Sequence, residues 1–180
     1  MVRMSRLYRC TLKWLNQNQV ICSRSWSGEY RSRSSDRVAA WRPAAEEREV
    51  TLTAANLEPV SARLGEGHLE QIMDNLLANA LDAVPPGGTV HVATAAAGDS
   101  LRITIADDGP GMSQQQLRTA FRRFVSTTPG GTGLGLAIVD RLVTSNGGSA
   151  VLSDTPGGGL TVTIELPVTR DRRRAGAGSL

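Results

Sequence analysis

The sequence predicts an α/β fold: a two-layer sandwich whose mixed, mostly antiparallel sheet packs against about three helices. Three observations carry that expectation. Short runs alternating apolar and polar residues come in pairs around Gly-containing turns, as hairpins do. Longer stretches with apolar residues three and four apart fall between them, as helices covering one face of a sheet do. Hairpins outnumber strand–helix–strand alternations, which argues against a doubly wound parallel sheet.

Residues 1–37 are rich in Arg and Ser and poor in periodicity (SRSWSGEYRSRSSDR); they read as disordered, with room for a short helix near LYRCTLKWLN. The ordered domain is expected over 38–168, and a basic disordered tail over 169–180. REVTLTAA (48–55) places Val50, Leu52 and Ala54 on one face of a half-buried strand. HLEQIMDNLLANALDAV (68–84) sets Leu69, Ile72, Met73, Leu76, Leu77, Ala80 and Leu81 at helical spacing, and PPGG (85–88) stops the helix. TVHVATAA (89–96) and SLRITIAD (100–107) read as strands joined at Gly98–Asp99. DDGPGM is too broken for regular structure, and Ser113 with Gln116 forms a capping box opening a short helix to about Phe121. After a loop from Val125 to Thr132, a glycine-led helix runs to about Ser145, where NGG offers a left-handed cap. SAVLSD (149–154) and LTVTIELP (160–167) are two further strands around TPGGG.

The chain has 180 residues, enough for one domain with a proper core, and holds no run of 18 apolar residues, so no membrane span is expected. The N-terminus lacks the apolar stretch and small-residue cleavage site of a secretory signal. Cys10 and Cys22 lack metal-ligand spacing and read as reduced thiols, which points to the cytoplasm. The net charge of +3 is unevenly spread. Residues 1–42 carry nine basic and two acidic side chains, residues 170–180 four and one, but residues 43–169 seven and fourteen. The folded part is therefore acidic and the basicity lies in solvated tails, so no specific nucleic acid is expected as a partner.

Three groups of residues carry chemistry. Asn75 and Asn79 lie four apart and share a helical face. A side-chain amide oxygen is a hard ligand suited to Mg²⁺, and neutral amides do not repel a polyphosphate as carboxylates would. Asp107 ends a strand beside Gly109, Pro110 and Gly111, where it can accept from an exocyclic amine while glycines admit a flat ring. Glycines 130, 131, 133 and 135 lead into a helix, whose unpaired N–H groups and dipole attract phosphate.

In this order the motifs resemble the catalytic and ATP-binding domain of sensor histidine kinases, in the superfamily shared with gyrase, the heat-shock-90 chaperones and the mismatch-repair ATPases. LEQIMDNLLANALDA resembles the N box, ADDGPGM the G1 box, FRRF a reduced F box, GGTGLGLAIV the G2 box and GGLTVTIELP the closing strand. The resemblance covers about residues 38–168 and implies a Bergerat-type ATP-binding fold with ATP and Mg²⁺ as cofactors. It implies that Asp107 reads the adenine amine with Thr161 in support, that Asn79 ligates Mg²⁺, and that Asn75 lies near the phosphates. It also implies that Gly109 and Gly111 admit the base, and that Gly131, Thr132, Gly133, Leu134 and Gly135 wrap the phosphates. Phe121 and Phe124 resemble the F-box pair that anchors the lid, and read equally well as plain core packing.

The sequence departs from that family at several points. Where ATP hydrolases and serine kinases of the superfamily carry a general-base glutamate, this chain has Asn75, whose amide accepts no proton at neutral pH. Basic residues expected in the lid, or three positions after the metal-binding asparagine, are replaced by Thr128 and Asp82, leaving Arg122 and Arg123 as candidate cations. Leu160 stands where a small residue is usual. His68 and His91 lie outside any amphipathic hairpin and read as structural or exposed, so no phosphoacceptor hairpin is expected in this chain. The resemblance thus implies a kinase acting on the histidine of a separate dimerisation and phosphotransfer protein, and through it on a response regulator. The alternatives are a non-catalytic nucleotide-binding module, a serine kinase resembling anti-sigma factors, and a truncated remnant of a longer kinase.

Overall fold

The computed structural model describes residues 34–55, 57, 64–65, 67–122 and 132–167. In chain order these form α1 (Ser34–Glu47), β1 (Thr51–Ala55), α2 (His68–Ala83), β2 (Thr89–Ala97), β3 (Ser100–Asp107), α3 (Gln114–Thr119), α4 (Gly135–Ser145), β4 (Ser149–Asp154) and β5 (Leu160–Pro167). The sheet order is β1-β2-β3-β5-β4. Only β1 and β2 run parallel, with α2 in the connection that parallel neighbours require. The other three pairings are antiparallel, so the sheet is mixed and mostly antiparallel, as expected.

Strand alternation builds the core. Val90, Val92, Leu101, Ile103, Ile105, Val162, Ile164 and Leu166 are buried on one face, against Leu69, Ile72, Met73, Leu76 and Leu77 of α2 and Val139 and Val143 of α4. Intervening positions turn away from that core; there Arg102 donates to Glu165 across the β3–β5 pair at 2.6 Å. The capping box forms as expected, with the Ser113 hydroxyl accepting from Gln116 N–H and the Gln116 side chain accepting from Ser113 N–H. Gly147 takes the left-handed conformation after α4 (φ 72°).

Two expectations need correction. Residues 34–37, assigned to a disordered segment, are helical, because α1 starts at Ser34 and is a fourth helix among the described residues. Its own pattern is weakly amphipathic and carries Pro43, so long-range contacts hold it. Arg37 donates through Nε and Nη2 to the two carboxylate oxygens of Asp74, and Trp41 Nε1 donates to Asp74 at 2.8 Å, while Val38 and Ala45 are buried. The ion pair is about one-third exposed, so screening leaves it worth about 1 kcal/mol, with apolar burial adding the rest. Ala54 was expected to share a buried face with Val50 and Leu52 but is exposed, because β1 is a short edge strand that ends one residue later.

Candidate functional site

The apolar stripe of α2 faces the sheet, which turns Asn75 and Asn79 outward along one edge of the helix. Asn79 meets the start of α4. A Cβ at Gly135 would lie 2.9 Å from Asn79 Oδ1 and 3.0 Å from Nδ2, so only glycine lets α4 begin this close to the amide. Asn75 is half-buried, and its Nδ2 donates to the Gln71 carbonyl at 2.7 Å.

β3 carries Asp107 to the same edge. The residue is only 5% exposed, and Oδ1 accepts from Gly109 N–H at 3.0 Å and Leu160 N–H at 3.1 Å. Both backbone donors fall on one oxygen, and Oδ2 stands outside this pair of bonds. Burial pushes the Asp107 carboxyl above the ordinary carboxylate range, the two N–H donors pull it back in part, and the negative charge of Asp108 adds to the rise.

The loop after β3 returns to α2: a Cβ at Gly109 would sit 3.0 Å from the Ala83 carbonyl, one turn beyond Asn79. Gly111 lies against Gly159, where its Cβ would stand 3.0 Å from that residue's carbonyl. Gly159 itself has φ 101°, and a Cβ there would land on the carbonyl of Asp107. A continuous line of contact thus runs from Gly135 through Asn79 and Ala83 to Gly109 and Asp107. Thr132, Gly133 and Leu134 lead into α4, whose N-cap residue, Leu134, makes no side-chain capping bond. Gly131 and Phe124 lie outside the described residues.

Thr161 does not join this line. In β5 the buried positions are Val162, Ile164 and Leu166, and Thr161 pairs with Ala106 on the opposite face. Its Oγ1 is 2.8 Å from Thr155 Oγ1. The residue that reaches Asp107 is Leu160, through its backbone N–H. Sequence reasoning missed both this contact and Gly159. The signal for the latter was three successive glycines, 157–159, where one or two make a hairpin turn.

Both histidines are engaged away from this line. His68 Nδ1 pairs with Asn146 Nδ2 at 2.9 Å, tying the start of α2 to the end of α4. His91 Nδ1 pairs with Thr53 Oγ1 at 2.8 Å on the sheet face opposite Asp107. Phe121 is half-buried just after α3. Among the described residues no three His, Cys, Asp or Glu side chains gather to hold a metal.

Comparison with known proteins bears on this geometry. The family model described as histidine kinase-, DNA gyrase B- and HSP90-like ATPase matches residues 65–170. The signal transduction histidine-protein kinase BaeS of Escherichia coli is 38% identical over 112 residues, 59% of this chain and 24% of BaeS. The sensor protein DivL of Caulobacter vibrioides is 40% identical over 122 residues, 67% of this chain and 16% of DivL. The chain thus spans a quarter or less of these two relatives. The solved structure of a mycobacterial sensor histidine kinase, MprB, superposes with a TM-score of 0.69 at 26% identity, covering 78% of this chain and 98% of that one. Full-length ShkA in complex with AMPPNP gives 0.66 at 31% identity, covering 75% and 29%.

Proposed function

This chain belongs to the family of histidine kinase-, DNA gyrase B- and HSP90-like ATPases and carries the ATP-binding catalytic domain of sensor histidine kinases. We propose that it holds magnesium ATP along the edge formed by α2, the β3–α3 loop and the start of α4, and transfers the γ-phosphoryl group to a histidine of a separate phosphotransfer protein. The observation that carries the reading is the line of contact from Gly135 and Asn79 to Asp107. The AMPPNP bound by its relative ShkA supports a nucleotide as the ligand.

In this reading Asp107 accepts from the exocyclic amine of adenine, and Gly109 and Gly111 let the ring lie against backbone. The phosphates run toward the first N–H groups of α4, with Thr132 to Gly135 beside them. Asn79 offers its amide oxygen to Mg²⁺, which when bound neutralises phosphate charge. Asn75 donates to Gln71 and takes no proton, so the imidazole proton of the acceptor must leave to a base outside this domain. In this reading the acceptor histidine is carried by the partner, which passes the phosphoryl group to a response regulator, while His68 and His91 bond to Asn146 and Thr53. No helix among the described residues is long and apolar enough to cross a membrane. A cytoplasmic location fits the need for ATP.

The test is incubation with ATP labelled at the γ-phosphate and a His-containing helical-hairpin protein. Label on that protein that is lost in acid and survives alkali is expected; acid-stable label would instead mean a serine kinase, and bound nucleotide without transfer a regulatory module.

Affinity for ATP is also expected to depend on pH. A proton on Asp107 Oδ2 takes away the acceptor the adenine amine needs, so affinity falls as pH drops through its raised pKa, at higher pH than an ordinary carboxylate would impose. The effect on folding has the opposite sign. The native state holds this proton more tightly than the unfolded chain, so the contribution to stability is full below the unfolded carboxylate pKa and is lost as pH rises through the folded value. Nucleotide titrations and urea melts across pH 4 to about 7 check both signs.

A further inference from the structure

The acidic character of the folded part raises a question at the phosphate side of the site. Asp82 follows Asn79 by three positions, so the two side chains are neighbours on the outward face of α2. A free carboxylate there would repel the phosphates that Asn79 serves. The carboxylate is not free. Arg48, in the turn after α1, donates through Nη2 to Asp82 Oδ1 at 3.4 Å, and through Nη1 to the Ala44 carbonyl at 3.3 Å. The turn that presents Arg48 is held in place by backbone bonds: Arg48 N–H donates to the Ala45 carbonyl and Gly87 N–H to the Glu49 carbonyl. The Arg48 side chain remains 45% exposed, and its guanidinium, paired to a carboxylate one helical turn from Asn79, has further N–H donors beyond those given to Asp82 and Ala44.

We propose that Arg48 is a phosphate-binding residue of the nucleotide site and that Asp82 is its positioning residue. The cation that α2 lacks in its own sequence is thereby supplied from the α1–β1 turn, 34 residues upstream of Asp82. A surface ion pair of this length contributes little to stability, which leaves the pair available for a ligand. The guanidinium suits the task because its donors are planar and several, so it can hold a carboxylate and a phosphate oxygen together. This inference rests on the nucleotide reading above.

The experiment measures binding of Mg-ATP and of adenosine by calorimetry, at low and moderate salt, to the wild-type chain, to Arg48→Ala, and to Arg48→Ala combined with Asp82→Lys. Circular dichroism confirms that each variant folds. For Arg48→Ala the expected result is about tenfold weaker ATP binding with a shallower salt dependence and unchanged adenosine affinity. The double variant, with its cation on α2 itself, is expected to recover ATP affinity. Equal losses for ATP and adenosine would mean a structural role only and overturn the proposal. So would unchanged ATP binding, or a double variant as weak as the single one. A wild-type chain that binds neither ligand would instead remove the nucleotide site, and this inference with it.

Discussion

Asp107→Asn is expected to weaken ATP binding by about a hundredfold, close to 3 kcal/mol, while leaving the protein folded. The substitution separates two jobs that fall on two oxygens. Oδ1 accepts from Gly109 and Leu160 and so holds the β3–α3 loop against the start of β5; an asparagine keeps that acceptor. Oδ2 becomes an NH₂ group, which meets the adenine amine donor to donor. Because the wild-type carboxyl is costly to bury, the variant is expected to be no less stable at neutral pH, and its residual affinity should lose the acid-side fall. Binding titrations with thermal melts check this; an affinity within twofold of wild type would show that the base is read elsewhere.

Asn79→Ala and Gly135→Ala form the second pair of large effects. Removing the Asn79 amide takes away the oxygen offered to Mg²⁺, and ATP affinity is expected to fall about 30-fold in magnesium. Gly135→Ala leaves Asn79 in the sequence but displaces its amide, since the new methyl would lie 2.9 Å from Oδ1. The atoms it meets are the end of a flexible side chain, so the amide swings away and the fold is kept. A loss between about 10 and 100-fold is expected, because a small misplacement of a ligating group is costly. In EDTA both variants should match the wild type. A Gly135→Ala protein that binds Mg-ATP normally would mean that the contact between α2 and α4 has no part in binding.

Much of this was legible because local rules and the fold agree. The leucines of α2 repeat at helical spacing and are buried; the Ser113–Gln116 box caps α3; Gly98–Asp99 turns the β2–β3 hairpin. α1 was not legible, because its anchor is Asp74, 37 residues from Arg37, and nothing in SSDRVAAWRPAAEE announces that partner. Strand alternation carries information that motif matching for Thr161 does not: Val162, Ile164 and Leu166 face the core, so Leu160 falls on the side of Asp107 and Thr161 on the opposite face. Asn79 and Gly135 are 56 positions apart, and only the packing of α2 on α4 shows that one glycine exists to admit one amide. Arg48 beside Asp82 is the same lesson in charge: an ion pair across elements leaves no local pattern.

The most direct measurement is a crystal structure of this chain with Mg²⁺ and a non-hydrolysable ATP analogue. It should place the adenine amine on Asp107 Oδ2, the metal on Asn79 Oδ1 and the phosphates at the first turn of α4. A nucleotide bound in another part of the fold, with Asn79 and Asp107 touching nothing but protein and water, would contradict it.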